Sequence, residues 1–287
     1  MIQSKSDKIY MAVIYTLLTV IAIVTLYPFW YVLVASMSSG KAVAEGSVYL
    51  YPIATTFDAY KELVVKTEVW TGYANSIYYT VLGTILSMGI TICGAYPLSK
   101  RYFKGRKILT FLVAFTMWFG AGMIPMYLNF IDLGMRNYWG VILGLAINTF
   151  NVILMKNFFE GVPSALEEAA TIDGASDWQV LTKVFIPLSK PAMATIGLFY
   201  AVSRWNGYFW SMILIREEKQ YPLNVWLKSW IVENNAMTES GSTITATYSA
   251  DTFIYATIII AVVPMMLIYP FIQKYFVQGV MVGAVKE

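Results

Sequence analysis

The sequence has no histidine, a single cysteine (Cys93) and little charge, with Asp, Glu, Lys and Arg making up 13% of its 287 residues. Without histidine and with one thiol, the chain alone cannot build a His/Cys metal cluster, a disulfide framework or a histidine-based catalytic triad. The phosphate-binding pattern G-x-x-x-x-G-K-[ST] is also missing, so any nucleotide is expected on another polypeptide. Soluble domains carry about a quarter charged residues. A chain that is 58% hydrophobic and 16% aromatic belongs in a bilayer instead, and its net charge of +3 calls for no nucleic acid.

What is present are long uncharged runs. Residues 9–40, 69–99, 108–131, 137–155 and 252–273 each reach the roughly 18 to 20 residues that cross hydrocarbon as a helix. A sixth run, 191–215, is interrupted only by Arg204. The expected fold is therefore all-α, with six transmembrane helices in one transmembrane domain, 1–287. Lys5 and Lys8 precede the first run and Ala42-Val43-Ala44 follows it, which resembles a signal-peptidase site. A secretory apolar core is only about 7 to 15 residues long, so the segment is read as a retained helix. Lysine and arginine are biased to one side, most densely at Lys100, Arg101, Lys104, Arg106 and Lys107. The positive-inside rule then puts both termini in the cytoplasm. Residues 37–68 and 216–251 become extracytoplasmic loops, and 160–190 a cytoplasmic one.

That cytoplasmic stretch is polar although uncharged runs flank it. Ser164 with Glu167 reads as a capping box, Gly174 as a left-handed helix end, and Ser176 with Gln179 as a second capping box. Pro187, with no amide hydrogen, is expected to stop the second helix. Two short helices at an angle would also serve as an ordinary linker. The spacing adds more: Glu168-Ala169-Ala170, three residues, Gly174, nine residues, then Val184, Phe185, Ile186 and Pro187. This resembles the EAA loop of permease subunits from ATP-binding-cassette importers, E-A-A, three residues, G, nine residues, I, one residue, L-P. Val184 and Ile186 depart from the pattern while keeping its aliphatic character. "FGAGMIPMYL" at 119–128, "DGASDW" at 173–178, Trp205-Asn206 and the ending "YPFIQKYFVQGVMVGAVKE" are similar to the carbohydrate-importer branch, and within it to permeases for complex-polysaccharide oligomers. The likeness runs from the first helix to the last residue.

The resemblance implies the type I ABC importer permease fold in a bacterial plasma (inner) membrane. It implies a heterodimer with a second permease, two ATPase subunits that bind ATP and Mg while this chain holds no cofactor, and an extracytoplasmic solute-binding protein that delivers oligosaccharide. Glu168, Ala169, Ala170, Asp173 and Gly174 would couple the chain to the ATPase. The outer loop 216–251, with "ESGST" at its centre, would reach the binding protein or serve as a solvated connector.

Candidate sugar contacts come from the runs themselves. Arg204 lies near mid-bilayer by a rise of about 1.5 Å per residue, and no acid in the runs can pair with it. Tyr200 and Tyr208, four residues away on either side, would share its face, with Asn206 nearly opposite. A guanidinium framed by two phenols suits a carboxylate and a stacked sugar ring, hence an acidic oligosaccharide such as a uronate oligomer. The alternatives are an acid on the second permease or backbone carbonyls at a broken helix. Gly140, Gly144, Asn148 and Asn151 fall on one helical face, for close packing or for sugar contact. Trp118 is a packing residue, an interfacial anchor or a sugar platform. Gly120, Gly122 and Pro125 suit a bending gate or an ordinary membrane helix. Neutral sugars or another solute would fit the same importer. A stand-alone carrier would be expected to bury coupling acids, which the six runs lack, and a membrane enzyme would need a base and nucleophile pair.

Overall fold

The computed structural model describes residues 5–239 and 248–284. Helices account for the regular structure among the described residues: α1 (Lys5–Ser36), α2 (Gly40–Ala44), α3 (Asp58–Val65), α4 (Thr67–Ser99), α5 (Arg106–Phe115), α6 (Met123–Asp132), α7 (Tyr138–Leu143) and α8 (Thr149–Glu160). They continue as α9 (Ser164–Ile172), α10 (Asp177–Val180), a π turn (Leu181–Phe185), α11 (Ile186–Leu188), α12 (Lys190–Asn206), α13 (Phe209–Leu214), a 3-10 turn (Glu218–Gln220), α14 (Leu223–Glu239) and α15 (Ala250–Ala284). By length and apolarity, Asp7–Ser36, Thr67–Ser99 and Ala250–Leu267 can each cross a membrane. Asp177–Leu188 and Lys190–Asn206, bent by 84° at Ser189, qualify only as a pair.

The chain divides into two compact units, 1–67 with 227–263, and 68–226 with 264–287. In the first, Val34, Ala35, Ala42, Val43 and Val48 form a small core with Tyr31, Ile53 and Tyr255 packed on it. The short helix α3 buries Ala59 and Leu63 on one face. Large apolar side chains of α1 from Ile9 to Trp30 are exposed. A surface that apolar is compatible with lipid or another protein, not with water.

In the second unit, Ile92, Ala95, Tyr96, Val152, Met155, Phe159, Leu181, Phe185 and Ile196 make the larger core. A second cluster gathers Tyr79, Phe130, Val141, Ile142, Leu214 and Ile215. The segment after α13 is tied to α4 by its backbone. Asn75 donates to the Lys219 and Tyr221 carbonyls at 2.8 and 3.1 Å, Tyr79 to Gln220 at 2.7 Å, and the Leu223 amide donates to Ser76 Oγ at 2.9 Å.

Three of the six uncharged runs are not continuous helices. Run 108–131 breaks between α5 and α6, 137–155 between α7 and α8, and 191–215 between α12 and α13. Pro125, expected to loosen a helix, lies in the first turn of α6, where its missing N–H has no intrahelical partner to lose. The break there comes instead at Gly122, whose φ of +83° favours glycine. The loop 216–251 contains α14 through Glu239, and the rest of "ESGST" lies outside the described residues.

Candidate substrate cavity and coupling hairpin

The breaks in α7/α8 and α12/α13 open into one cavity of about 680 Å³. Its walls include Asn148, Asn151, Tyr200, Arg204 and Tyr208, five of the six residues expected to meet sugar, and also Asn206, which was expected nearly opposite Arg204 but reaches the same cavity at the end of α12. Trp118, the sixth, is not on that wall; it follows α5 and is 77% exposed. Phe150, Phe199, Phe209 and Trp210 add aromatic faces.

Asparagine caps explain where the fourth run is cut. Asn137 accepts from the Trp139 and Gly140 amides at 2.9 and 3.3 Å, and Asn148 accepts from Asn151 at 3.1 Å, each satisfying donors at a helix start. The common helical face expected for Gly140, Gly144, Asn148 and Asn151 therefore does not exist, because α7 ends at Leu143 and α8 begins at Thr149. Packing accounts for the glycine: a Cβ on Gly144 would fall 2.0 Å from the Phe130 ring.

Arg204 works on the carbonyls that the break leaves open. Its Nη2 donates to Ile142 at 3.0 Å, to Leu145 at 2.8 Å and to Ser87 Oγ at 3.2 Å, and Nη1 donates to the Val141 carbonyl. The last carbonyls of a helix have no partner within it, and a guanidinium fork in apolar surroundings supplies several donors at once. Gly83 makes room, since a Cβ there would lie 3.0 Å from Arg204 Nε.

The pair of phenols expected around Arg204 is not built. Tyr200 is 3% exposed, and its hydroxyl is hydrogen-bonded to Thr91 Oγ1 at 2.7 Å and accepts from the Asn148 amide at 3.2 Å. Tyr208 follows the α12 break at Gly207, so helical spacing from Arg204 does not carry to it. It reaches the same cavity from the next segment, 38% exposed.

The polar stretch 163–191 folds as a hairpin of helices, as its caps suggest, with two differences. Gly174 has φ +80°, and the Gly174 and Ala175 amides donate to the Thr171 and Ala170 carbonyls at 3.0 Å each, a left-handed helix end of the expected kind. Ser176 and Gln179 form the second capping box. The first box does not form: Pro163 occupies the cap position of α9, and Glu167 turns to Lys100. Pro187 does not end the second helix either. The π turn Leu181–Phe185 shifts the hydrogen-bond register ahead of it, the helix continues to Leu188, and the bend falls at Ser189.

Glu168, Ala169, Asp173 and Gly174 are exposed on the hairpin, while Ala170 packs on the core. Around them lie three exposed apolar residues that spacing had not singled out: Leu166, Ile172 and Trp178, at 44%, 85% and 65%. Their signal in the sequence was apolar character at positions no core of this unit needs. A groove of about 840 Å³ between the hairpin and the end of α4 is lined by Lys100, Arg101, Glu167, Glu168 and Ile172 among others. Burial holds the Lys100 ammonium below the usual lysine range, and Glu167 opposes that shift.

The fold, its broken helices around a cavity and its helical hairpin are those of a transport permease. The chain belongs to the binding-protein-dependent transport system inner membrane components, a family matched over residues 1–282. It is 38% identical to the polygalacturonan/rhamnogalacturonan transport system permease protein YtcP of Bacillus subtilis (strain 168), over 98% of this chain and 99% of that protein. Protein LplC of the same strain is 39% identical over 92% and 90% of the two chains. A solved bacterial ABC transporter involved in the import of the acidic polysaccharide alginate contains a chain that is 47% identical, with a TM-score of 0.88 over 96% of this chain and 99% of that one.

Proposed function

We propose that the chain carries acidic oligosaccharide across a bacterial inner membrane as one of two permeases, with hydrolysis of ATP on two partner ATPases and delivery by an extracytoplasmic binding protein. The observation that carries the reading is the 680 Å³ cavity at the helix breaks. In transporters, interrupted helices point half-helix N-termini at anionic groups of the substrate. Here the first turn of α8, with Asn148, Phe150 and Asn151, lines the cavity beside Arg204, its one formal cation. Aromatic walls suit the apolar faces of sugar rings. The similarity to permeases for rhamnogalacturonan and alginate supports the same cargo class.

In this reading the six runs are six spans, three of them interrupted, and the positive-inside bias places both termini and the hairpin in the cytoplasm. The exposed Leu166, Ile172 and Trp178 around Glu168 form the face that meets an ATPase, and closure of the ATPase pair moves the helices attached to it. Purification from native membranes tests the assembly. A second permease and an ATPase should accompany the chain, and uptake by this chain alone in liposomes would overturn the proposal.

Tyr208 supplies a milder test of the cavity. An aromatic contact is worth about 1 kcal/mol beyond its buried area, or roughly fivefold in an equilibrium constant. Tyr208→Ala should raise the sugar concentration for half-maximal uptake by about that factor, with complex yield unchanged. An unchanged concentration dependence would remove Tyr208 from the transport path.

A further inference from the structure

Lys100 is 4% exposed, and no feature of the cavity uses it. Its ammonium lies 2.8 Å from Glu167 Oε2 on α9, 3.6 Å from the centroid of the Phe185 ring and 4.2 Å from that of Tyr96. The rings of Tyr96, Phe159 and Phe185 meet edge to face, at centroid separations of 5.3 to 6.2 Å. The Tyr96 hydroxyl donates to the Asp177 carbonyl at 3.4 Å. The last turn of α4 is thereby joined to α9 through Glu167, to α10 through Asp177 and to the π turn through Phe185. Both arms of the hairpin are held by Tyr96 and Lys100, which lie one helical turn apart.

A methionine would fill much of the same space without the cost of burying a charge, so what the ammonium adds is its attraction to one carboxylate and two ring faces. Farther along α4, about 14 Å from Lys100 by helical rise, Thr91 is hydrogen-bonded to Tyr200, and one turn beyond it Ser87 accepts from Arg204. The helix that ends in this socket therefore also touches the two residues that shape the cavity.

We propose that Lys100 is a positioning residue for energy coupling: seated between Tyr96 and Phe185 and paired with Glu167, it makes α4 move with the hairpin 164–188. The proposal rests on the reading of that hairpin as the ATPase-coupling element. The test uses the full complex with its copurifying partners in proteoliposomes. Uronate oligosaccharide uptake and ATP hydrolysis are measured in the same vesicles for Lys100→Met, Lys100→Arg and Glu167→Gln, with Glu168→Lys as the reference. Lys100→Met and Glu167→Gln should keep complex yield and hydrolysis, while sugar moved per ATP falls at least about fivefold, the low end of a coupling free energy. Lys100→Arg, which keeps the charge, should recover most of the loss. An unchanged ratio in Lys100→Met and Glu167→Gln, alongside a lowered ratio in Glu168→Lys, overturns the role of Lys100 alone. Loss of complex in Lys100→Met, with a normal ratio in Glu167→Gln, also overturns it, as a purely structural lysine. A normal ratio in Glu168→Lys overturns the coupling reading, and this proposal with it.

Discussion

Arg204→Met is expected to abolish uptake and to destabilise the permease itself. The guanidinium donates to the Val141, Ile142 and Leu145 carbonyls and to Ser87. Methionine leaves those acceptors without a donor in a wall formed by helix ends, and each unsatisfied buried group costs about 1 to 3 kcal/mol. A loss of about 3 kcal/mol or more should appear as a lower unfolding midpoint of the detergent-solubilised complex and as a poorer yield. Arg204→Lys keeps a cation but not a planar fork, so stability should fall only partway. Gly83→Val, whose side chain would crowd Arg204 Nε, should reproduce part of the Arg204→Met defect without removing the charge. A stable Arg204→Met protein with wild-type uptake would contradict the assignment of Arg204 to the cavity wall. If stability holds and only acidic cargo is lost, the guanidinium serves the sugar more than the wall.

Gly174→Pro is expected to stop transport at the hairpin. Proline fixes φ near −65°, whereas Gly174 sits at +80° and donates its amide to Thr171. The turn between α9 and α10 cannot survive that change, so Glu168, Ala169 and Ile172 on α9 lose their placement relative to Trp178 on α10. Uptake should fall by about two orders of magnitude, the order of loss from misplacing a positioning element by about 1 Å. Membrane insertion should persist, because the apolar helices are untouched. Gly174→Ala, at a cost of about 1 kcal/mol for a left-handed Cβ, should be far milder. Comparable uptake in Gly174→Pro and wild type would show that the hairpin does not transmit ATPase motion.

The hairpin was the most legible part of the sequence because its signals are local. Gly174 and the Ser176/Gln179 box act within a few residues, and both formed as expected. Glu167 did not cap α9, because Lys100, distant in sequence, competes for its carboxylate. The apolar runs were equally plain, since hydropathy needs no knowledge of partners. Their interruptions were not. A helix in an apolar medium breaks only where other groups satisfy its backbone, and here those groups are Arg204 for α7 and Tyr200 for the Asn148 amide. Neither is near the break in sequence. Asn137 and Asn148 were the visible traces, asparagines at helix-start positions inside greasy stretches. Five of the six residues expected to meet sugar thus line one cavity, while the helical face assumed for Gly140, Gly144, Asn148 and Asn151 was lost at the break.

The most direct measurement is ATP-dependent uptake by the reconstituted complex, offered a uronate oligomer and a neutral oligomer of the same length. A hydrogen bond to a charged group contributes about 1.5 to 3 kcal/mol, so the account predicts at least about tenfold faster accumulation of the acidic oligomer, abolished when ATP is withheld. Equal accumulation of both oligomers, or uptake that proceeds without ATP, would contradict it.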